Sequence, residues 1–349
     1  MKKFLVKVLV YGLVLAMLII PVNVLVDPYN VFHASNIRDN GIEPNKNYIK
    51  TKHAIQNKDV YDSYLFGSSR VGFIDADVLR DLTGENYYNM TYSEALPQEN
   101  LESIRRLIEY GEKPKTILLG LDDISYLVDP QMHKNQLFRR SYPKRGDIEE
   151  QASFYIRYFD LYTTLKSLKV IREHKQGKNQ TKFFSDYIYT NGCENLNLDI
   201  TFDESSNTPY WAQYYKERTD QAISEIEEIV DLCKQHKIKL IVFTNPIHYT
   251  TYQKDVRYGY LDFLRQLANV TDYYNFSGYN AITLDSSLYY ETSHYKPEVG
   301  KKITCVITGN TCDEQYYEEL QRQGFGMYTT SDNVDSLITL LEHQIDSIE

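Results

Sequence analysis

Short apolar runs alternate with amphipathic stretches along most of the chain after residue 60. The apolar runs predict strands at 64–66, 86–90, 116–121, 238–244 and 273–276. Between them, apolar residues recur at helical spacing, as in the series Leu101, Ile104, Leu107 and Ile108. Strands that alternate with helices indicate a mainly parallel sheet with helices on both faces. The pattern therefore predicts an α/β fold with three layers.

The first 29 residues have a different pattern. Three lysines within the first seven residues precede residues 8–26, which carry no charge. A helix of about 20 apolar residues can cross a bilayer, and the flanking lysines favour a cytoplasmic N-terminus. A cleaved signal peptide is the alternative, but VNVLVDP offers no small-x-small cleavage site. We expect an uncleaved anchor at 1–29 and an extracytoplasmic domain at 30–349.

Two segments of this domain interrupt the alternation of strands and helices. Residues 27–58 are polar and irregular, which is typical of a stalk. Residues 125–215 separate the third and fourth predicted strands and contain a helix-like stretch at 152–173. We interpret 125–215 as an insertion in a single α/β domain.

Charge and cysteine usage exclude several kinds of site. A net charge of −10 argues against a nucleic-acid partner. The four cysteines show no CxxC spacing and the eight histidines form no HExxH motif, so we expect neither a metal nor a cofactor. A disulfide is compatible with an oxidising compartment, and Cys305 with Cys312 is the nearest pair.

Polar residues follow several of the predicted strands. In open parallel sheets, ligands bind beyond the carboxyl ends of the strands. At these positions the sequence reads Gly67-Ser68-Ser69-Arg70, Asn89-Met90-Thr91, Gly120-Leu121-Asp122-Asp123 and Asn245-Pro246-Ile247-His248. Near the end of the chain, Glu291 stands three residues before His294. We expect these segments to meet along one edge of the sheet.

Ser69, His294 and Glu291 together provide the three groups used in serine catalysis, which are a hydroxyl, an imidazole and a carboxylate. A serine hydroxyl becomes nucleophilic when a base such as imidazole takes its proton. A carboxylate on the other ring nitrogen fixes the tautomer and stabilises the imidazolium. Each signal is weak alone, because Gly and Ser favour turns for local reasons. We interpret His248 as structural.

GSSR after the first strand, GLDD after the third and ExxHY near the C-terminus resemble the motif blocks of the SGNH/GDSL hydrolase superfamily. The resemblance covers roughly residues 60–305, with the middle section unmatched. A membrane anchor combined with GSS and a late HY is similar to the cell-envelope branch, which includes proteins of teichoic acid D-alanylation and alginate O-acetylation. The resemblance implies a flavodoxin-like α/β/α fold.

The same resemblance implies roles for individual residues. Ser69 would be the nucleophile, His294 the general base and Glu291 the orienting acid. Candidates for oxyanion or substrate binding are Asn89, Thr91, Asp122 and Arg70.

Three positions depart from the family pattern. The family acid is normally Asp, and the glycine of the second block is not evident. Asp122 stands where the family has an asparagine that donates to the oxyanion, and an ionised carboxylate cannot donate. The alternative donors are backbone N–H groups at Ser69 and near Thr91, or the side chain of Asn89.

Two hypotheses for function follow. The first is a membrane-anchored extracytoplasmic serine esterase or O-acyltransferase, which acts through an acyl-serine on an acylated envelope polysaccharide or a small ester. Its expected partner is a membrane-bound acyltransferase. The alternative is a catalytically inactive scaffold of the same fold that binds glycan or an assembly partner.

Overall fold

Six short strands form one sheet in the computed structural model, which describes residues 1–38, 40–178, 202, 215–310 and 314–347. The strands are β1 (Ser63–Phe66), β2 (Tyr87–Asn89), β3 (Thr116–Leu121), β4 (Lys239–Thr244), β5 (Tyr273–Asn275) and β6 (Met327–Thr329). Their order is β2-β1-β3-β4-β5-β6. The first five strands are parallel, and β6 pairs antiparallel with β5. The protein is therefore a mixed α/β protein with a mostly parallel sheet.

Helices connect and flank these strands. The described helices are α1 (Lys2–Val26), α2 (Lys46–Gln56), α3 (Ala76–Thr83), α4 (Pro97–Glu109), α5 (Asp123–Leu127), α6 (Ile148–Ile156), α7 (Leu161–Lys175), α8 (Tyr215–His236), α9 (Tyr249–Arg257), α10 (Tyr260–Val270), α11 (Pro297–Ile307), α12 (Glu314–Arg322) and α13 (Val334–Asp346). A 3-10 turn, Ser69–Phe73, follows β1.

The centre of the sheet is buried because its strands are mostly apolar. All six residues of β3, TILLGL, are buried. Leu65 of β1 lies in register with Leu118 of β3, and both belong to a core that also contains Val299 and Ile303 of α11. Burial of such side chains stabilises the fold by about 1.5–3 kcal/mol each. This core fixes the end of β1 relative to α11.

The chain divides into two units by its internal contacts. One unit comprises residues 1–56 and 135–186, and includes α1, α2, α6 and α7. The other comprises 57–134 and 187–349, and contains the whole sheet. The expected boundaries of an anchor at 1–29 and an insertion at 125–215 stay a prediction.

The N-terminal helix α1 is long and apolar enough to span a membrane. It runs for 25 residues, with Pro21 inside it, and ends at Asp27 in a left-handed conformation. Membrane anchors and signal sequences share this length and composition.

The structure differs from the sequence-based expectations at three places. Segment 27–58 was expected to be irregular, but it contains helix α2, in which several polar side chains are buried. The helix-like stretch at 152–173 is two helices, α6 and α7, separated by a break at 157–160. Strand β6 was not expected.

Candidate active site

Ser69 lies in a tight turn at the carboxyl end of β1. Gly67 has a φ of 143°, which side chains rarely adopt, and a Cβ there would lie 2.5 Å from Val71 Cγ2 and 2.7 Å from the carbonyl oxygen of Gly120. Ser68 caps the 3-10 turn, and its Oγ accepts a hydrogen bond from the backbone N–H of Arg70 at 3.4 Å. The glycine thus lets the chain turn sharply enough to place Ser69 at the end of the strand.

A second tight loop carries Glu291 and His294. Tyr289 and Tyr295 form an antiparallel bridge across it, and the N–H of Tyr290 donates to the carbonyl of His294 at 2.9 Å. The backbone therefore holds the acid and the base three residues apart on one turn.

The two loops meet at Ser69 and His294. Ser69 Oγ lies 2.8 Å from His294 Nε2, although the residues are 225 positions apart. On the other side of the ring, Nδ1 bonds to a carboxylate oxygen of Glu291. Because an ionised carboxylate only accepts, Nδ1 carries the proton and Nε2 of the neutral ring accepts from the Ser69 hydroxyl. The order of groups is hydroxyl, imidazole, carboxylate.

The Glu291 carboxylate is prepared to remain charged. Burial raises the pKa of Glu291, but three neighbours outweigh burial and lower the pKa below its ordinary value. These are the hydrogen bond and charge of His294, the backbone N–H of Ser293 at 2.7 Å and the charge of Arg70. The side chains of Glu291 and His294 stay 21% and 28% exposed, and Ser69 is half-buried. A substrate can therefore approach the hydroxyl from solvent.

Arg70 lies beneath this trio, completely buried. Its guanidinium bonds to Asp123 and lies 3.1 Å from Asp122. Burial opposes its charge, but the two carboxylates outweigh burial and raise the pKa of Arg70. Arg70 also donates to Ser293, next to His294, from Nε to the carbonyl at 2.7 Å and from a terminal nitrogen to Oγ at 3.0 Å. It therefore joins the Ser69 turn to the His294 loop, and a role for Arg70 toward substrate stays a prediction.

Asp122 is engaged by several donors. It accepts from Ser68 Oγ at 2.5 Å and from the N–H of Ile124 at 3.1 Å, and Asn245 Nδ2 lies 3.4 Å away. These contacts, with Arg70, hold the ends of β1, β3 and β4 together. A role for Asp122 toward substrate stays a prediction.

Asn89 is the last residue of β2, Thr91 lies two residues further on, and both are fully buried. The Asn89 side-chain oxygen accepts from the N–H of Thr91 at 3.0 Å and from its hydroxyl at 2.5 Å. This arrangement shapes the turn after β2, and their roles in oxyanion binding stay predictions.

Sequence reasoning assigned no role to Asn245, Ser293 or Asp255. Asn245 is buried, donates toward β3 and accepts from the Tyr295 hydroxyl at 3.1 Å. Asp255 is buried on α9, where burial and the neighbouring charges of Asp123 and Asp122 raise its pKa well above the ordinary value. Only the place of Asn245 directly after a strand was a usable signal.

His248 makes contacts typical of a structural residue. Its two ring nitrogens lie 2.9 Å from Thr250 Oγ1 and 3.1 Å from Ser286 Oγ. Burial lowers its pKa to about 4, although the charge of Glu291 opposes this shift. His248 is therefore a neutral ring near pH 7.

Two of the cysteines are described. Cys305 is disulfide-bonded and Cys233 is a buried free thiol. Cys312, the expected partner of Cys305, lies outside the described residues.

Within the described part of the chain, no group of three or more His, Cys, Asp or Glu side chains could hold a metal ion.

Comparison with known proteins assigns no family to this site. No family model matches the chain, and no curated protein matches its sequence.

Proposed function

We propose that the protein is a membrane-anchored serine esterase or O-acyltransferase. The observation that carries the proposal is the 2.8 Å contact between Ser69 Oγ and His294 Nε2, with Glu291 on the other ring nitrogen. The three groups come from two loops held together by the buried Arg70. A nucleophile, a base within hydrogen-bond reach and a group that orients the base form the set that acyl transfer through serine needs.

The reaction would proceed in two steps. Ser69 Oγ attacks the ester carbonyl while its proton moves to His294 Nε2, and the leaving alkoxide then takes that proton as the C–O bond breaks. This leaves an acyl-serine and a free alcohol. In the second step, water or a sugar hydroxyl attacks the acyl carbon while its proton moves to Nε2. The bond between the acyl carbon and Oγ then breaks, and Nε2 returns the proton to Ser69 Oγ, which restores the serine and releases the acid or the acylated sugar. Glu291 stabilises the imidazolium in both steps.

Stabilisation of the oxyanion would come from backbone N–H groups. The N–H of Ser69 stands at the first position of a 3-10 turn, where N–H groups have no acceptor within the turn itself. Asn89 and Thr91 stay candidates from the sequence. Loss of one oxyanion donor costs about 10²–10³ in rate.

The arrangement of strands supports an SGNH-like, flavodoxin-like α/β/α fold. The first five strands have the order 2-1-3-4-5, which is a common order in flavodoxin-like proteins. Ser69 follows the first strand and His294 follows β5, as in the family that the motifs resemble. An envelope polysaccharide, or a small ester derived from one, is the substrate class that this resemblance favours.

The proposed location follows from the N-terminal helix. With α1 as an uncleaved anchor and Lys2, Lys3 and Lys7 in the cytoplasm, the catalytic residues would lie outside the cytoplasmic membrane. A membrane-bound acyltransferase is then a natural source of acyl groups for transfer.

Labelling with a fluorophosphonate probe tests the chemistry. The full-length protein in detergent or membranes should be labelled, and peptide mapping should place the adduct on Ser69. Ser69→Ala should lose labelling, and His294→Gln should be labelled far more slowly. Ser336→Ala, a change to an exposed serine on α13, should be labelled like the wild type.

The inactive scaffold is the alternative, and Asp122 is the observation that favours it. A buried carboxylate bonded to Ser68 and Arg70 stands where the family has an oxyanion donor. A folded wild-type protein that reacts with neither the probe nor small aryl esters would support the scaffold and contradict the esterase.

A further inference from the structure

Apart from α1 itself, the unit that contains α1 has its exposed apolar side chains concentrated on α7. Outside Met1 and α1, the described chain exposes ten large apolar side chains, and five of them fall within residues 156–168. They are Ile156, Leu161, Tyr162, Leu165 and Leu168, exposed by 51–64%. Apolar patches of this kind on a soluble surface usually mark an interaction site.

Four of these residues lie on α7, and three of them form one face of the helix. Leu161, Leu165 and Leu168 have the spacing i, i+4, i+7, which places them on one side of a helix. We call these three residues the leucine face. Thr163, Ser167 and Val170 lie on the opposite side of α7 and are buried. The leucines therefore point away from the body of their own unit.

The other side of α7 packs against α1. The two helices are in contact, and Asn23 of α1 donates through Nδ2 to the carbonyls of Tyr158 and Asp160 at 2.9 and 3.2 Å. Those two residues immediately precede α7. Since Asn23 lies near the end of a helix that is apolar enough to cross a bilayer, α7 begins close to the level at which α1 leaves the membrane.

Charge on α7 matches a membrane surface. The helix contains Lys166, Lys169, Arg172 and Lys175 against one acidic residue, Glu173. An amphipathic helix with leucines on one face and basic residues beside them is typical of segments that lie in the interface of anionic bilayers. Long basic side chains reach the headgroups while their stems lie along apolar surface.

We propose that α7 is a second membrane contact, with the leucine face inserted into the acyl-chain region of the leaflet beside α1 and the basic residues at the headgroups. This inference rests on the proposed anchoring by α1 and is independent of the ester chemistry. Two membrane contacts in one unit would restrict its rotation relative to the bilayer, which a single helix would not.

Tryptophan quenching in vesicles tests the proposal. Trp211, the single tryptophan of the sequence, is replaced by Phe, and Leu165→Trp is introduced in the full-length chain. The protein is reconstituted into phosphatidylcholine and phosphatidylglycerol vesicles with or without brominated acyl chains. Leu165→Trp should lose most of its emission to the brominated lipid. Leu168→Trp, on the same face, should behave alike.

Two control positions separate the possible failures. Leu15→Trp reports on α1 itself, and Lys234→Trp reports on an exposed position of α8. We expect quenching at Leu15→Trp and none at Lys234→Trp. Quenching at Leu15→Trp but not on the leucine face would overturn the proposal and assign that face to a protein partner or to water. Quenching at neither position would overturn the anchoring as well, whereas probe labelling of Ser69 would be unaffected.

Discussion

Arg70 and Ser293 are joined by two hydrogen bonds across 223 positions of sequence. The Arg70 Nε donates to the Ser293 carbonyl at 2.7 Å, and a terminal nitrogen donates to Ser293 Oγ at 3.0 Å. One residue follows Ser69 and the other precedes His294, so this contact joins the turn of the proposed nucleophile to the loop of its proposed base. We infer that Arg70 positions these two groups from beneath the site.

Arg70→Ala should destabilise the protein by about 3–5 kcal/mol, because it leaves the carboxylates of Asp122 and Asp123 buried without their cation. Thermal and denaturant unfolding in detergent would measure the loss. Arg80→Ala is the matched control, since Arg80 makes an exposed pair with Asp77 and should change stability by about 0.5 kcal/mol or less.

Arg70→Lys separates positioning from stability. Lysine keeps the charge but lacks the planar fork that reaches both Asp123 and Ser293. A folded Arg70→Lys protein should therefore be labelled by the fluorophosphonate probe at least about tenfold more slowly than the wild type, by analogy with small misplacements in other active sites. Labelling at the wild-type rate would show that the link to Ser293 does not position the site.

Glu291→Gln should lower the labelling rate of Ser69 by about 10²–10⁴, because an amide can present the wrong group to Nδ1 and lacks the charge that stabilises the imidazolium. Glu291→Asp is the graded comparison. Its side chain is one methylene shorter, so it cannot keep both His294 and the Ser293 N–H in place. We expect an intermediate rate, measured on folded protein; equal rates for all three forms would contradict a role for Glu291.

The candidate site could be predicted because each part has a local signal. A strand that ends in Gly-Ser-Ser and a Glu three residues before a His can be recognised without knowledge of the fold. The contacts that bring these parts together could not, since Arg70–Ser293 and Asn245–Tyr295 depend on how distant segments pack. The sequence therefore predicted the groups at the site, and the structure describes what holds them.

The fold was predicted where apolar residues are continuous. Strand β3 has six buried apolar or small residues in succession, whereas β6 is the three-residue edge strand Met327–Thr329 with an exposed Tyr328. Helix α2 was missed for a related reason. Its buried face includes Lys46, Asn47 and Lys50, so its polarity conceals its position. Both cases lack the contrast between apolar and polar positions on which periodicity depends.

Stability should fall as the pH falls from about 6.5 to about 4, in part because of His248. Its pKa is lowered to about 4 by burial in the folded protein, against an ordinary value of 6.5. In this range the unfolded chain binds a proton that the folded protein excludes, so acid favours unfolding by up to about 3 kcal/mol. Above pH 6.5 this contribution is fully present.

His248→Gln isolates that contribution. The variant should be less stable than the wild type at pH 7, because it loses the contacts with Thr250 and Ser286. Between pH 6.5 and 4 its stability should fall less steeply than that of the wild type, so the two curves converge. Thermal midpoints measured across this range provide the comparison, and parallel curves would show that His248 does not titrate as proposed.

The approach of α11 to the Ser69 turn depends on Gly300. A Cβ at this position would overlap the backbone carbonyl of Phe73, the last residue of that turn. Gly300→Ala must therefore displace either α11, which follows His294, or the turn that carries Ser69. We expect a loss of about 1–3 kcal/mol in stability and a labelling rate lowered by about tenfold or more.

Gly309→Ala is the control for Gly300→Ala. Gly309 lies just after the same helix with a φ of 69°, and a Cβ there meets no atom within 4 Å. The substitution should cost about 1–2 kcal/mol through backbone strain alone and leave the labelling rate unchanged. If both variants lose similar stability and only Gly300→Ala is labelled slowly, the contact between α11 and Phe73 sets the geometry of the site. If Gly300→Ala is labelled as fast as Gly309→Ala, the distance between Ser69 and His294 is maintained without that contact.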